Sequence, residues 1–362
     1  MRVWIAGGGT GGHVYPGLAV VQALRATGES EVTYVGGQGG IEEDLAGRAG
    51  LRFVGIPAGG VHGLAPWPAG QNIVKLIRGL RGAFRLGRQE SPSALFATGG
   101  YASVPVALVA WVLRVPILVY LPDIEPGLAV RFIARLASKV AVTVEDSRSY
   151  FSDRKVVVTG YPVRSEFHDI DRAEARDALG LVQTEPVLLV MGGSRGARSI
   201  NRALGGMLEH VLDMTQVIHL SGELDWPSVS RRRDGLPATL EGRYHAFPYL
   251  HEIGYALASA DLAVCRSGAS TLGELPFFGL PAVLVPYPHA WRYQQVNAEW
   301  LTERGAAITL EDGRLDEELL PTVRRLLRKP RLLAGMAERT RTLARPDAAE
   351  RLAAELQALE RQ

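Results

Sequence analysis

The sequence is short of cysteine, of uninterrupted apolar runs and of excess charge. Its single thiol, Cys265 in 362 residues, closes no internal disulfide and supplies no cysteine set for structural zinc, so a reducing compartment is expected. Residues 1–6 are too short an apolar stretch for a secretory signal and run straight into glycines, which predicts a protein that is not exported. The most apolar region, residues 104–121, approaches a bilayer-spanning length but is broken by Pro105, Arg114 and Pro116, so it reads as a buried helix followed by a buried strand. A net charge of +2 is too small for a face that binds nucleic acid along the whole chain, and no nucleic-acid partner is expected. What remains, with 47% hydrophobic and 22% charged residues, is a soluble globular protein of more than one domain.

Short β-branched runs alternate with helical patterns. Residues 3–6, 32–35, 94–97, 117–121 and 140–144 read as strands, and 16–26, 41–49, 104–113 and 128–137 as helices. That alternation predicts a parallel sheet covered by helices on both faces. After Thr159-Gly160-Tyr161-Pro162-Val163-Arg164, whose glycine and proline punctuate the chain, the pattern restarts. It gives a helix at 173–179, strands at 187–191, 217–220, 262–264 and 282–285, and an amphipathic helix at 347–359. The expectation is an α/β protein of two doubly wound Rossmann-like domains, 1–160 and 161–345, facing a cleft, with 346–362 as a closing helix.

Glycine loops follow several of these strands. In Gly7-Gly8-Gly9-Thr10-Gly11-Gly12-His13, Gly7, Gly9 and Gly12 satisfy the dinucleotide pattern formally. The second strand, however, ends Val35-Gly36-Gly37, without the carboxylate that would hold a ribose, which argues against nicotinamide. Two readings stay open: backbone amides and a helix end that receive a phosphate or sugar ring, or glycines that only permit tight turning and packing. Similar loops are Gly192-Gly193-Ser194-Arg195-Gly196-Ala197 and Thr98-Gly99-Gly100-Tyr101. Farther on, Cys265 to Leu275 puts small residues at a helix start with Glu274, which suits either two ribose hydroxyls or the helix dipole. Gln294 and Asn297, three apart on a helix, share a face that suits a polyol.

Taken together, GGTGGH, GGY, GYPVR, GGSRGA, CRSGASTLGE and the 294–298 segment resemble the MurG family in order and spacing, over about residues 1–351. The resemblance implies a GT-B fold, with the last helix packing back on the first domain. It also implies an inverting glycosyltransferase that moves N-acetylglucosamine from UDP-N-acetylglucosamine to the C4 hydroxyl of the N-acetylmuramyl group on undecaprenyl-pyrophosphoryl-MurNAc-pentapeptide. Donor contacts carried over are Thr10, Gly11, Gly12, Arg164, Ser194, Leu250, Ala269, Ser270, Thr271, Leu272, Gly273, Glu274 and Gln294. His13 is expected to be the base, or else to cap and pack its loop. The resemblance departs at Tyr120-Leu121-Pro122-Asp123, where the family commonly shows His-Glu-Gln-Asn. Asp123 therefore stands where an asparagine would touch the donor sugar, as an alternative base or the sign of a slightly different substrate. The GGY loop also carries Val104 and Val106 in place of later glycines.

No cofactor is expected, with Arg164 and backbone amides facing the diphosphate. The acidic pair in Asp169-Ile170-Asp171 precedes a helix and reads as a cap rather than a metal site. Residues 71–89 interleave Ile73, Val74, Leu76, Ile77, Leu80 and Phe84 with Lys75, Arg78, Arg81, Arg85 and Arg88 and hold no acid. With Trp67 and Trp111 nearby, that segment fits an anionic membrane surface or an ordinary solvated helix face. With a lipid-linked acceptor, the implied location is the cytoplasmic face of the cell membrane. Competing readings are a GT-B-shaped UDP-N-acetylglucosamine epimerase, a transferase with a different lipid-linked acceptor, and a non-catalytic sugar-nucleotide sensor.

Overall fold

The fold is described from a computed structural model over residues 1–57, 66–193, 196–289 and 292–361, with no side chains described for 66–76. Chain packing divides it into two compact units, Met1–Ser165 with Arg345–Gln362, and Glu166–Ala344. The division falls after Ser165, which puts Arg164 in the first unit. Local contacts hold it there: Tyr161 is buried, Arg164 stacks on Tyr15, and the Ser165 amide donates to Gln22 Oε1 at 3.2 Å.

Strands β1 (Arg2–Gly7), β2 (Glu31–Gly37), β3 (Arg52–Ile56), β4 (Ala94–Gly99), β5 (Ile117–Leu121), β6 (Lys139–Val142) and β7 (Val156–Val158) form the sheet of the first unit. They pair in parallel in the order β3-β2-β1-β4-β5-β6-β7. Alternation along β1 explains the layering. Val3 and Ile5 face a core that holds Leu24 from the helix Gly11–Thr27 and Leu352 and Leu356 from the terminal helix Ala348–Glu360. Trp4 and Ala6 face the opposite core, with Val106 and Ile133. A strand buried on both faces needs such an unbroken apolar run. The terminal helix thus closes a core that the first 165 residues leave open, and a Lys139–Glu355 ion pair reinforces its seat.

The second unit has β8 (Val187–Met191), β9 (Gln216–Leu220), β10 (Tyr244–Phe247), β11 (Leu262–Cys265), β12 (Ala282–Leu284) and β13 (Ala307–Thr309). All pair in parallel, in the order β10-β9-β8-β11-β12-β13. In each unit the strand order reverses once, between β1 and β4 and between β8 and β11. At such a switch point the loops leaving the two strands diverge and open a crevice. The glycine loops occupy these two places.

The helix after β1 begins at Gly11, more than a turn before the proline that suggests its start. The amides of His13 and Val14 both bond the Thr10 carbonyl, so the turn is already wound when Pro16 is reached. Asp171 caps the helix Arg172–Ala178, accepting the amides of Ala173 at 2.8 Å and Glu174 at 3.0 Å. Among the described residues no helix is long and apolar enough to cross a membrane.

Candidate active site

In the first unit the loops after β1 and β4 pack on each other. A β-carbon on Gly7 would strike the Thr98 hydroxyl, and one on Gly100, at φ 83°, would strike the Gly8 carbonyl. Thr98 Oγ1 donates to the His13 carbonyl at 2.6 Å, and the ring of His13 lies against the bare α-carbon of Gly99. Thr10 Oγ1 and His13 Nδ1 are 2.9 Å apart. With Nδ1 donating to Thr10, Nε2 keeps the lone pair that a base requires.

A carboxylate that the motif does not announce lies beneath this loop. Glu42, on the helix Ile41–Arg48, is buried and accepts the amides of Gly9 at 3.2 Å and Gly37 at 3.0 Å. Burial lowers the pKa of His13, while the charges of Asp123 and then Glu42 act in the opposite sense. Asp123, half-buried just past β5, is thus within electrostatic reach of His13 although far from it in sequence. Arg164 holds its guanidinium 4.9 Å from the ring of Tyr15, which lies on the helix Gly11–Thr27. The first unit therefore assembles Thr10, Gly11, Gly12, His13, Asp123 and Arg164 at one sheet end.

In the second unit the loop after β8 turns at Gly193 and Gly196, both with positive φ, and leads into the helix Arg198–Leu212. A β-carbon on Gly196 would meet the Ser221 carbonyl, so the close approach requires glycine. Ser194 and Arg195 lie outside the described residues. After β11, Ala269–Leu272 form a 3-10 turn in which Ala269, Thr271 and Leu272 are buried and Ser270 is half-buried. Thr271 Oγ1 donates to the Gly268 carbonyl at 2.6 Å, and Gly273 precedes the short helix Glu274–Phe278. Glu274 is half-buried, and burial and then its charge push the Cys265 thiol up to about 12, which leaves that thiol inert. Leu250 follows β10 and is half-buried.

The polyol face expected of Gln294 and Asn297 needs correction. Asn297 is fully buried and donates to the Ser267 carbonyl at 3.1 Å, while the side-chain Oε1 of Gln294 accepts the Tyr287 amide at 2.8 Å. Asn297 braces the loop from below because the helix Tyr293–Glu303 turns it into the core, and Gln294 alone of the two stays half-buried. Arg266, inside the CRSG stretch, joins Asp312 Oδ1 at 2.5 Å and Ser199 Oγ at 2.8 Å, tying the β11 loop to the helix behind β8. Neither Glu42 nor this Arg266 brace carries a sequence signal of its own. Among the described residues no group of three or more His, Cys, Asp or Glu side chains is placed to hold a metal ion.

The glycosyltransferase family 28 N-terminal domain matches residues 3–142, and the family 28 C-terminal domain matches residues 187–352. A UDP-N-acetylglucosamine--N-acetylmuramyl-(pentapeptide) pyrophosphoryl-undecaprenol N-acetylglucosamine transferase of Roseiflexus sp. (strain RS-1) is 43% identical, covering 99% of this chain and 95% of its own. Acinetobacter baumannii MurG superposes with a TM-score of 0.76 at 26% identity, covering 99% of both chains. The UDP-GlcNAc 2-epimerase of Neisseria meningitidis, solved with UDP-GlcNAc, superposes at 0.70 over 99% of this chain and 100% of its own, but its 13% identity shows a shared GT-B fold only. Family model, relatives and fold agree: the chain belongs to glycosyltransferase family 28 and, within it, to the MurG family.

Proposed function

We propose that this enzyme transfers N-acetylglucosamine from UDP-N-acetylglucosamine to the C4 hydroxyl of a lipid-linked N-acetylmuramyl pentapeptide pyrophosphate. The observation that carries the reading is the family relation at 43% identity over 99% of the chain, in a protein whose first switch point holds His13 within reach of Asp123. Direct displacement with inversion needs a base at the acceptor hydroxyl and donors at the leaving diphosphate. His13 takes the proton on Nε2, and Asp123 stabilises the imidazolium that forms. An aspartate there lacks the amide donor of an asparagine but contributes charge, so it acts on the base and not on the sugar.

The donor contacts carried over from the family are Thr10, Gly11, Gly12 and Arg164 in the first unit and Leu250, Ala269 to Gly273 and Gln294 in the second. The family relation assigns Ser194 to the phosphate, and Glu274, half-buried beside the 3-10 turn, to the ribose hydroxyls. Incubation with UDP-N-acetylglucosamine and a short-chain lipid-linked acceptor, with products weighed by mass spectrometry, tests the reading. An acceptor heavier by one N-acetylhexosamine is expected. Epimerised donor with the acceptor untouched refutes it.

The acceptor's lipid brings the enzyme to an anionic membrane. The helix Pro66–Glu90 supports this: Ile77 and Phe84 are exposed, as are Trp111 and Val112 on the neighbouring helix. Between the two helices Leu80, Phe84, Leu108, Val109 and Val112 line a groove of about 350 Å³ flanked by Arg81 and Arg85. Exposed apolar groups beside arginines suit an interfacial helix. Sedimentation with anionic vesicles that weakens with salt is expected, and indifference to lipid charge refutes it.

A further inference from the structure

The first glycine loop looks built for an anion, yet an anion of the protein's own already occupies it. Glu42 reaches from the first turn of its helix into a space left by three glycines of two segments. β-Carbons on Gly8, Gly36 or Gly40 would each collide with its side chain. One carboxylate oxygen takes the Gly9 amide at 3.2 Å and the other takes the Gly37 amide at 3.0 Å, so Glu42 bolts the loop after β1 to the end of β2. Capping does not account for it, because the next residue, Glu43, makes the local bond, to the Gly39 amide at 3.0 Å. Nor does ordinary surface placement, since Glu42 is only 3% exposed. A buried carboxylate persists where hydrogen bonds to its charged form compensate for lost water, and two backbone amides supply them.

We propose that Glu42 is the positioning residue of this loop: it fixes Gly9, and through Gly9 the Thr10–His13 turn, and its charge keeps the donor diphosphate off the Gly9 amide. The proposal rests on the reading of His13 as base. The consequence is a division of labour between loops. An amide that faces phosphate in other glycine loops is committed here to an internal anion, so the leaving diphosphate draws on other donors. The first loop presents imidazole to the acceptor hydroxyl. Two carboxylates face that imidazole, Asp123 from the end of β5 and Glu42 from its helix, with Thr10 on its own loop. Tyr34 on β2 lies beside Glu42 and donates to the Gly7 carbonyl at 3.1 Å.

Glu42→Gln is nearly isosteric and keeps one acceptor, but it turns an N–H donor toward the second amide and removes the charge. Kinetics, pH profile and hydrogen exchange of this variant, beside His13→Ala, test the proposal. Expected is a kcat lowered roughly tenfold to a hundredfold, as for a displaced base, with the KM for UDP-N-acetylglucosamine changed by less than about threefold. The acid limb of kcat/KM moves to lower pH, because a negative charge that favours the imidazolium is gone. Exchange quickens in the peptide spanning residues 7–13 and not in β4.

Wild-type kcat and an unmoved limb in Glu42→Gln, with His13→Ala inactive, overturn the proposal. So does an equal loss of kcat and stability with the limb unmoved, which is what a merely structural residue gives. Full turnover in His13→Ala overturns the base reading instead. The two failures are distinct because the exchange measurement reports the loop anchor whether or not His13 acts as base.

Discussion

His219, in the middle of β9, is 1% exposed, and its pKa is pushed down to about 4 by burial, with Asp225 opposing and Arg232 assisting. Its hydrogen bonds specify the neutral ring. Asn201 spends its amide nitrogen on the Ser221 carbonyl at 2.8 Å and on Asp225 Oδ2 at 2.9 Å, so its Oδ1 accepts from His219 Nε2–H at 3.0 Å. His219 Nδ1 then accepts from the Tyr244 hydroxyl at 2.6 Å. Because the folded pKa lies below the ordinary 6.5, the unfolded chain binds the proton first as pH falls. The contribution of neutral His219 is therefore complete above about pH 7 and is lost as pH drops from 6.5 toward 4.

The full shift corresponds to about 3 kcal/mol, of which about 2 kcal/mol disappears between pH 7 and pH 5. Hydrogen exchange of the β9 amides, corrected for intrinsic rates, reads the stability of this unit separately from the other. Wild type should lose about 2 kcal/mol more between those pH values than His219→Gln does, whatever the variant's lower baseline. Equal pH dependence in the two proteins would refute the assignment of a neutral buried ring.

Asp123→Asn restores the residue the family commonly shows and should move the acid limb of kcat/KM to lower pH, since the charge that raises the His13 pKa is removed; pH–rate profiles check it. His13→Ala should abolish turnover while calorimetric donor affinity changes by less than about threefold. Glu274→Gln should weaken UDP binding by roughly tenfold to a hundredfold, read by calorimetry, if its carboxylate accepts both ribose hydroxyls. Arg176 is 5% exposed and donates to the carbonyls of Ser259 and Glu185 and to Asp261, so Arg176→Met should destabilise the second unit by about 3 kcal/mol in denaturant melts.

What the hydrophobic pattern marks and what it misses follows from where each strand lies. β5 and β8 coincide with their apolar runs because interior strands of a parallel sheet are buried on both faces. The strands without a clear signal, β3, β7, β10 and β13, are the four sheet edges. Each is partly exposed, and β7 and β13 are only three residues long, too short for a periodicity to register. In the site, local order was legible: loop after strand, helix after loop, Asp171 as a cap. Long-range partners were not. Helical spacing pairs Gln294 with Asn297 but does not say which of them the core claims, and nothing in residues 7–13 announces a carboxylate arriving from position 42.

A glycine pattern records that β-carbons are excluded and is silent on what excludes them. At Gly8, as at Gly36 and Gly40, the nearest excluding atom belongs to Glu42, and this makes a test that a steric reading alone would not supply. Gly8 is buried but its φ is not positive, so alanine is acceptable to the backbone there. The three atoms nearest the added methyl would all belong to the Glu42 carboxyl, the tip of a side chain that could swing aside were it not held by two amides. Gly8→Ala should therefore act by evicting the carboxylate and slow turnover much as Glu42→Gln does. The two changes combined should cost little more than either alone, whereas independent defects would add. If their effects on kcat multiply, the glycine protects the backbone fit of the loop and Glu42 is not what the missing β-carbon makes room for.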